Sequence, residues 1–175
     1  MPSPSRDLHG PAQSRAVRDL LQSLFAVELM SPSRKVWLFF AWISDVEILD
    51  NSARQFAVLE PDWPAGPIRL SQVLRALLTR GVEIRVIIRE HGHNEFFLAR
   101  LEALKARFGD LLKWRIEKTF HAKGLLGADY FLSGSMNLTL SGISINGEHL
   151  VFRTDPAAVA EEAIELESRW EGLLG

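Results

Sequence analysis

The 175-residue sequence contains no cysteine, which excludes a disulfide framework and any metal site built on thiolates. It also lacks a long apolar run, since the longest one, residues 36–43, is too short to cross a bilayer. Residues 1–15 hold no apolar core of the kind found in secretory signals. These absences lead us to expect a soluble, cytoplasmic protein with no membrane partner.

A strong net charge is missing as well, because 20 basic side chains oppose 22 acidic ones. The charges are nevertheless unevenly distributed. Residues 79–123 carry 10 basic and 6 acidic side chains, whereas residues 124–175 carry 2 basic and 8 acidic ones. The basic segment could attract a phosphate backbone. Ordinary solvated helix faces are the alternative explanation of the same cluster.

The length and an apolar content of 47% fit one domain of an ordinary globular class. Residues 1–13, rich in Pro and Ser, are predicted to be a disordered lead, and residues 14–175 a single domain. Strands are predicted over residues 36–43, 82–88, 111–118 and 149–154, and the first of these is apolar throughout, as in a strand buried on both faces. Segments with helical periodicity lie between them. This alternation predicts an α/β fold, in which helices flank both faces of a mixed β-sheet.

Helix starts are expected at residues that commonly cap helices. These residues are Ser14, Ser71, Asn94 and Asp155. Pro156 supports the last start because Pro is favoured at the first helical position. The inner face of that last helix is expected to comprise Val159, Ala163, Leu166, Trp170 and Leu173.

Polar residues interrupt the apolar segment that runs from His121 to Asn137. Lys123 is two residues after His121, and Asn137 is two residues after Ser135. Alternate residues of a strand point to one face, so a hairpin with a turn midway would bring these four side chains together. Gly134 would allow close approach of the main chain to a ligand. Lys, Ser and Asn suit the oxygens of a phosphoryl group, and His can attack phosphorus or protonate a leaving oxygen.

His121-x-Lys123, followed by Asp129 and then Gly134-Ser135-x-Asn137, resembles the HKD signature of the phospholipase D superfamily. Downstream, Asn146-Gly147-Glu148 is similar to the family's Asn-x-Glu, whose carboxylate orients the catalytic histidine. The order of predicted helices and strands over residues 14–172 also fits the family.

Two departures from the family pattern fall in or beside the predicted turn. The family usually places its Asp five residues after the Lys, where this chain has Ala128, and Asp129 follows one residue later. The span from Lys123 to the Gly-Ser pair is also one residue short. Turn length varies readily, so the departures weaken the case for Asp129 and leave the other matched residues intact.

The resemblance implies a phosphodiesterase that needs no metal and no cofactor. Family members use two HKD motifs: one His attacks phosphorus and forms a phosphohistidine, and the other protonates the leaving oxygen and then activates water. The sequence holds a single motif, which implies a homodimer whose two copies of His121 meet at a twofold axis. The implied catalytic residues are His121, Lys123, Asn137 and Glu148, and the implied substrate-binding residues are Ser135 and Gly134.

Other polar residues are weaker candidates. Asp45 and Asn51 lie in a long segment that either lines the mouth of the site or forms turns, and Asp129 is either a participant or a turn residue. His91 and His93 could ligate a metal, but they have no nearby pattern of further ligands, so loop positions are favoured. Trp and Phe residues at helix and strand spacing are expected in the core.

The function implied is hydrolysis of phosphodiesters in nucleic acid, most of all DNA, by a homodimeric phospholipase D-like nuclease. One alternative is a phospholipid or other small phosphodiester as substrate, and another is a non-catalytic DNA-binding subunit. The short motif also resembles phospholipase D-like proteins encoded in bacterial DNA-modification and defence clusters, including the 7-deazaguanine type. That resemblance implies further protein partners from such a system.

Overall fold

The computed structural model describes residues 5–8, 14–144 and 149–175. The strands are β1 (Ser5–Leu8), β2 (Lys35–Phe40), β3 (Glu47–Asp50), β4 (Pro67–Arg69), β5 (Glu83–Arg89), β6 (Leu112–Glu117), β7 (Gly124–Leu126), β8 (Phe131–Gly134) and β9 (Leu150–Arg153). The helices are α1 (Ser14–Met30), α2 (Leu70–Thr79), α3 (Glu95–Phe108), α4 (Leu140–Ser144) and α5 (Pro156–Trp170).

Within the described ranges, one sheet of seven strands runs in the order β1-β9-β8-β7-β2-β5-β6. Strands β2, β5 and β6 are parallel, whereas β7, β8, β9 and β1 join by antiparallel pairing. Strands β3 and β4 form a separate antiparallel pair. The predicted mixed sheet is therefore confirmed.

The central strand β2 is buried on both faces, and its side chains alternate between two clusters. Val36, Leu38 and Phe40 pack with α1, α2 and α3. Trp37 and Phe39 face the opposite way and pack with α5. The unbroken apolar run from Val36 to Phe40 is thus explained by helices on both sides of the sheet.

Residues 5–8 differ from the predicted disordered lead, because they form strand β1 and pair antiparallel with β9. This pairing uses main-chain groups, so it needs no apolar pattern that a sequence analysis would detect. At the other end of the chain, Leu173 is 51% exposed, so its predicted place on the inner face of the last helix is wrong. Leu174 packs against the α5 cluster instead, because α5 ends at Trp170 and the chain then turns more tightly.

Two of the predicted helix starts illustrate local and long-range capping. The Asp155 carboxylate accepts a hydrogen bond from the Ala158 N–H at 3.0 Å, which confirms the predicted start of α5. Ser71 lies inside α2 rather than at its cap. Its N–H and hydroxyl each donate to the Asp45 carboxylate at 2.8 Å, so a residue from a preceding loop caps this helix.

The turn between β7 and β8 is anchored to the end of α1 by buried polar groups. The Ala128 N–H donates to Ser33 Oγ at 2.7 Å, and the Ser33 hydroxyl donates to the Glu28 carboxylate at 2.7 Å. Glu28 is 1% exposed. Burial raises the pKa of Tyr130 well above its usual value, and the neighbouring Glu28 carboxylate raises it further. The hairpin is therefore held at its turn by the helical layer.

Across the described ranges, no helix combines the length and apolar character that a bilayer-spanning segment requires.

Candidate active site

The carboxyl ends of β2, β5 and β8 meet at one edge of the sheet, where the chain also enters β7. A cavity of about 420 Å³ opens at this edge. Its lining residues in the described part of the chain are Ala41, Trp42, Arg89, His121, Lys123, Gly134, Ser135 and Asn137. Crevices at the carboxyl ends of parallel strands are common ligand sites in open α/β sheets. The hairpin thus brings together the five candidate residues of the segment 121–137, which are His121, Lys123, Gly134, Ser135 and Asn137.

The hairpin register explains how the two halves of this segment meet. Gly124 pairs with Ser133 in the β7–β8 ladder, and the Gly134 N–H approaches the Lys123 carbonyl at 3.4 Å. Residues just before β7 and just after β8 are therefore opposite each other. This antiparallel register, together with the hydrogen bonds between Ser135 and His149, places His121, Lys123 and Ser135 at the same cavity.

Lys123 carries positive charge into a mostly buried position. Its side chain is 8% exposed, and Nζ donates to the His121 carbonyl oxygen at 2.6 Å. An ammonium group offers three donors. Arg89, at the end of β5, contributes a second, half-buried cation to the lining. The cavity therefore has two cationic side chains and no carboxylate among its described lining residues.

Ser135 is tied to the residue that precedes β9. Its N–H donates to the His149 carbonyl at 2.9 Å, and its hydroxyl oxygen accepts from the His149 N–H at 3.0 Å. Gly134, immediately before it, has a φ of +150°. A Cβ at that position would lie 2.0 Å from the His149 carbonyl oxygen. Gly134 is therefore required by the close approach of β9, in addition to any contact with a ligand.

Asn137 is oriented by the main chain that follows β2. Its Oδ1 accepts from the Trp42 N–H at 3.0 Å. Because the oxygen end of the carboxamide is engaged in this way, the Nδ2 end is the one that remains as a hydrogen-bond donor to a ligand. Asn137 thus suits the donor role that the sequence assigned to it.

The buried side chain of Asn94 holds the ends of β2 and β5 together. Its Nδ2 donates to the carbonyls of Ala41 (3.0 Å) and Arg89 (2.7 Å), and its Oδ1 accepts from the Ile43 N–H (2.9 Å). Asn94 lies at the predicted start of α3, but its side chain makes no capping hydrogen bond. It fixes the wall of the cavity instead.

Comparison with known families agrees with this fold. A family model described as "Cardiolipin synthase, PLD-like domain" matches residues 46–170. The chain belongs to this PLD-like family, within the phospholipase D superfamily. A search of curated proteins gave no significant match.

Solved structures of PLD-like proteins have a similar fold. NucT from Helicobacter pylori is 15% identical with a TM-score of 0.63, and the alignment covers 95% of each chain. Nuc from Salmonella typhimurium, titled a phospholipase D family member, is 18% identical with a TM-score of 0.61 over 95% of this chain and 93% of Nuc. Phosphatidylserine synthase from Haemophilus influenzae Rd KW20 is 15% identical with a TM-score of 0.63. That alignment covers 94% of this chain but only 37% of the longer synthase chain.

The other site residues predicted from the sequence do not line the 420 Å³ cavity of this PLD-like chain, or they lie outside the described residues. Asp129 is in the β7–β8 turn and lines a separate cavity of about 280 Å³ at the opposite edge of the sheet. Asp45 holds the start of α2 and lines a groove of about 710 Å³ beside β3. Asn51 is fully buried and bonds to the Pro64 carbonyl and the Phe56 N–H. Glu148 lies outside the described residues.

Metal ligands do not cluster in the described part of the chain, where no group of three or more His, Asp or Glu side chains could hold an ion. The rings of His91 and His93 lie beside the indole of Trp42, with ring centroids 5.9 and 6.4 Å from it. His91 directly precedes a short 3-10 turn, Gly92–Asn94, that includes His93, and the choice between loop positions and metal ligands stays a prediction.

Three lining residues are not among those predicted from the sequence: Ala41, Trp42 and Arg89. The sequence predicts Trp42 in the core, as part of the buried strand 36–43, but the strand ends at Phe40 and Trp42 is 41% exposed. Arg89 is a charged residue that ends the apolar strand β5. Trp42 follows β2 and Arg89 ends β5, so both lie at the carboxyl ends of parallel strands, a position that marks them as candidates once the order of the strands in the sheet is known.

Proposed function

We propose that this PLD-like chain is a phosphodiesterase that acts on nucleic acid, with DNA as the favoured substrate. The observation that carries the proposal is the cavity that brings His121, Lys123, Ser135 and Asn137 together beside Arg89. A nucleophile or general acid thus faces two cations and a carboxamide donor. Phosphodiester chemistry needs this combination, because negative charge develops on the phosphoryl oxygens as the nucleophile adds and on the leaving oxygen as its bond to phosphorus breaks.

In the proposed reaction, a ring nitrogen of His121 attacks phosphorus and forms a P–N bond. The bond to the leaving oxygen breaks, and that oxygen takes a proton from a second imidazole. Water then attacks the phosphohistidine, the second imidazole accepts its proton, and the P–N bond breaks. Lys123 and Arg89 bind the non-bridging oxygens throughout, and Asn137 donates from Nδ2. Glu148 is proposed to orient the imidazole.

The second imidazole is proposed to come from another copy of the chain. His121 is the one histidine among the described residues that line the cavity. Twofold association would place the same residue of the partner copy opposite it, since an isologous interface repeats every contact. A homodimer would therefore contain one complete site built from two equal halves.

Nucleic acid is favoured as substrate by the composition of the site. Arg89 and Lys123 belong to the basic segment 79–123, and Ala41 is the only aliphatic side chain among the described lining residues. Similarity of fold to Nuc and NucT adds support. The resemblance to proteins of DNA-modification and defence clusters, and the partners it implies, stay predictions.

A phospholipid phosphodiester is the second candidate. The family model is described by cardiolipin synthase, and phosphatidylserine synthase has a similar fold. The same cavity chemistry would serve a glycerol phosphodiester. Among the described lining residues, Ala41 alone is aliphatic, so acyl chains would require a surface beyond the cavity.

The proposal is tested by incubating the protein with single-stranded DNA, duplex DNA and RNA in excess EDTA. Cleavage should persist with the chelator and fall by at least about 10³-fold in His121→Ala, which lacks the nucleophile. Lys123→Ala should also lose most activity. Lys118→Ala is the matched control, because Lys118 is exposed and does not line the cavity. Release of lipid headgroups without cleavage of any nucleic acid would contradict the proposal and support the second candidate.

The homodimeric site has its own test. Wild-type protein is mixed with an equal amount of His121→Ala protein and left to exchange subunits. If each site needs both histidines, only wild-type homodimers are active, and they make up a quarter of the dimers after random exchange. Activity should then be near a quarter of that of wild-type protein at the same total concentration, whereas chains that act independently would give one half. A value near one half, or a monomer in sedimentation at micromolar concentration, would contradict the shared site.

A further inference from the structure

Trp42 occupies an unusual place for a large apolar side chain. It follows a strand whose residues are buried, yet it is 41% exposed and lines the cavity. Its neighbours Ala41 and Ile43 are buried, at 2% and 0% exposure. The chain therefore directs one aromatic side chain outward at the point where the proposed phosphate site opens.

The backbone that carries Trp42 is fixed from both sides. Asn94 binds the Ala41 carbonyl and the Ile43 N–H, and Asn137 Oδ1 accepts from the Trp42 N–H. Asn137 is itself a proposed phosphate-binding residue. The indole is therefore held at a set position relative to the phosphoryl group.

Two imidazoles support the indole. The rings of His91 and His93 lie 5.9 and 6.4 Å from the Trp42 ring and are tilted by 49° and 45°. The His91 Nδ1 accepts from the His93 N–H at 3.1 Å, and His93 Nε2 lies 2.9 Å from Ser44 Oγ. These contacts hold three exposed rings in one group, which we call the Trp42 platform: Trp42, His91 and His93.

We propose that the Trp42 platform binds a nucleobase by stacking, and that the preferred substrate is consequently single-stranded nucleic acid. The inference rests on the proposed function, because it assigns the group attached to the phosphodiester that the cavity binds. Every base has a flat π-face, so such stacking tolerates any sequence. The adjoining cations Arg89 and Lys123 would hold the phosphate of the same nucleotide.

The chemistry of the platform favours a base over a lipid chain. Its exposed groups are one indole and two imidazoles, which offer ring faces and polar nitrogens. A membrane-inserting surface would instead present aliphatic side chains around the Trp, and Ala41 is the only one among the described cavity residues. The platform therefore matches a flat, polar-edged ring.

Single strands are favoured because both faces of a base inside a duplex are covered by its neighbours. A base can reach the platform only if it is already unstacked or is extruded at a cost of a few kcal/mol. Single-stranded DNA or RNA incurs little of that cost. Duplex cleavage should then occur mainly at ends and mismatches.

The first test compares a single-stranded oligonucleotide with one of equal length made of abasic residues, which keeps the phosphates and removes the bases. Trp42→Ala should raise KM for the normal oligonucleotide about tenfold or more, a typical loss for one base–aromatic stack. It should change KM for the abasic strand less than about twofold, and Trp42→Phe should restore most of the difference. Phe96→Leu, at an exposed aromatic outside the cavity lining, is the matched control.

The second test measures binding without cleavage, so that it stands even if no nucleic acid is hydrolysed. Fluorescence anisotropy follows labelled single-stranded and duplex DNA binding to His121→Ala protein, with and without Trp42→Ala. Loss of single-strand preference in the double variant supports the platform. The inference is overturned if Trp42→Ala raises KM equally for the normal and the abasic strand. It is also overturned if Trp42→Ala dissociates a dimer in sedimentation, or if Trp42→Ala abolishes binding to phosphatidylglycerol vesicles while DNA binding is unchanged.

Discussion

Replacement of Asn94 by Ala should cost stability and damage the site at the same time. The substitution removes three hydrogen bonds, to the carbonyls of Ala41 and Arg89 and from the Ile43 N–H. Ala41 and Ile43 are almost completely buried, so no water replaces the lost partner. Each buried group left unsatisfied costs about 1–3 kcal/mol, and the half-buried Arg89 carbonyl less. We expect the free energy of unfolding to fall by about 3–5 kcal/mol, a large part of the about 5–15 kcal/mol that domains usually have.

Urea unfolding at pH 7, followed by circular dichroism, measures this loss. Asn51→Ala is the matched control, because Asn51 is equally buried and makes two main-chain hydrogen bonds away from the cavity. It should cost about 2–4 kcal/mol and leave KM for an oligonucleotide unchanged, whereas Asn94→Ala should raise KM because the wall that carries Trp42 loosens. A loss below about 1 kcal/mol for Asn94→Ala, with an unchanged m-value, would refute the reasoning.

Two further substitutions test the hairpin. Gly134→Ala should lower the free energy of unfolding by at least about 2–3 kcal/mol, because its Cβ would meet the His149 carbonyl at 2.0 Å; Gly66→Ala, which has positive φ but no atom within 4 Å, should cost clearly less in the same urea assay. The raised pKa of Tyr130 means that the folded protein holds this proton more tightly than the unfolded chain. Stability from this group is therefore present below the unfolded pKa of about 10 and is lost as pH rises above it. Tm measured from pH 8 to 11 should fall less steeply in Tyr130→Phe, and parallel curves would contradict the assignment.

Local patterns allowed much of the fold and half of the site to be predicted. The hairpin that joins Lys123 to Ser135 follows from alternation and a turn, both of which are encoded within a few residues. Strand β2 was recognisable because every residue from Val36 to Phe40 is apolar. The two pairs nevertheless lie outside the strands, because His121 and Lys123 precede β7 and Ser135 and Asn137 follow β8.

The Trp42 platform could not be predicted, because it depends on contacts between distant segments. Asn94 and Ile43 are 51 residues apart in sequence, and nothing local indicates that this Asn binds the end of β2 rather than capping α3. Trp42 has the same neighbours in sequence as a core residue would have. Its exposure becomes evident only when the order of β2 and β5 in the sheet is known.

The anchored turn between β7 and β8 has a consequence for how such chains are recognised. Main-chain pairing sets the distance between Lys123 and Ser135, while the turn around Ala128 is held separately through Ser33 and Glu28. A residue can therefore be lost at the turn without moving either half of the motif. Search patterns that demand one fixed interval would miss such shortened chains. A pattern written as two motifs of fixed spacing, separated by an interval of variable length, would find them.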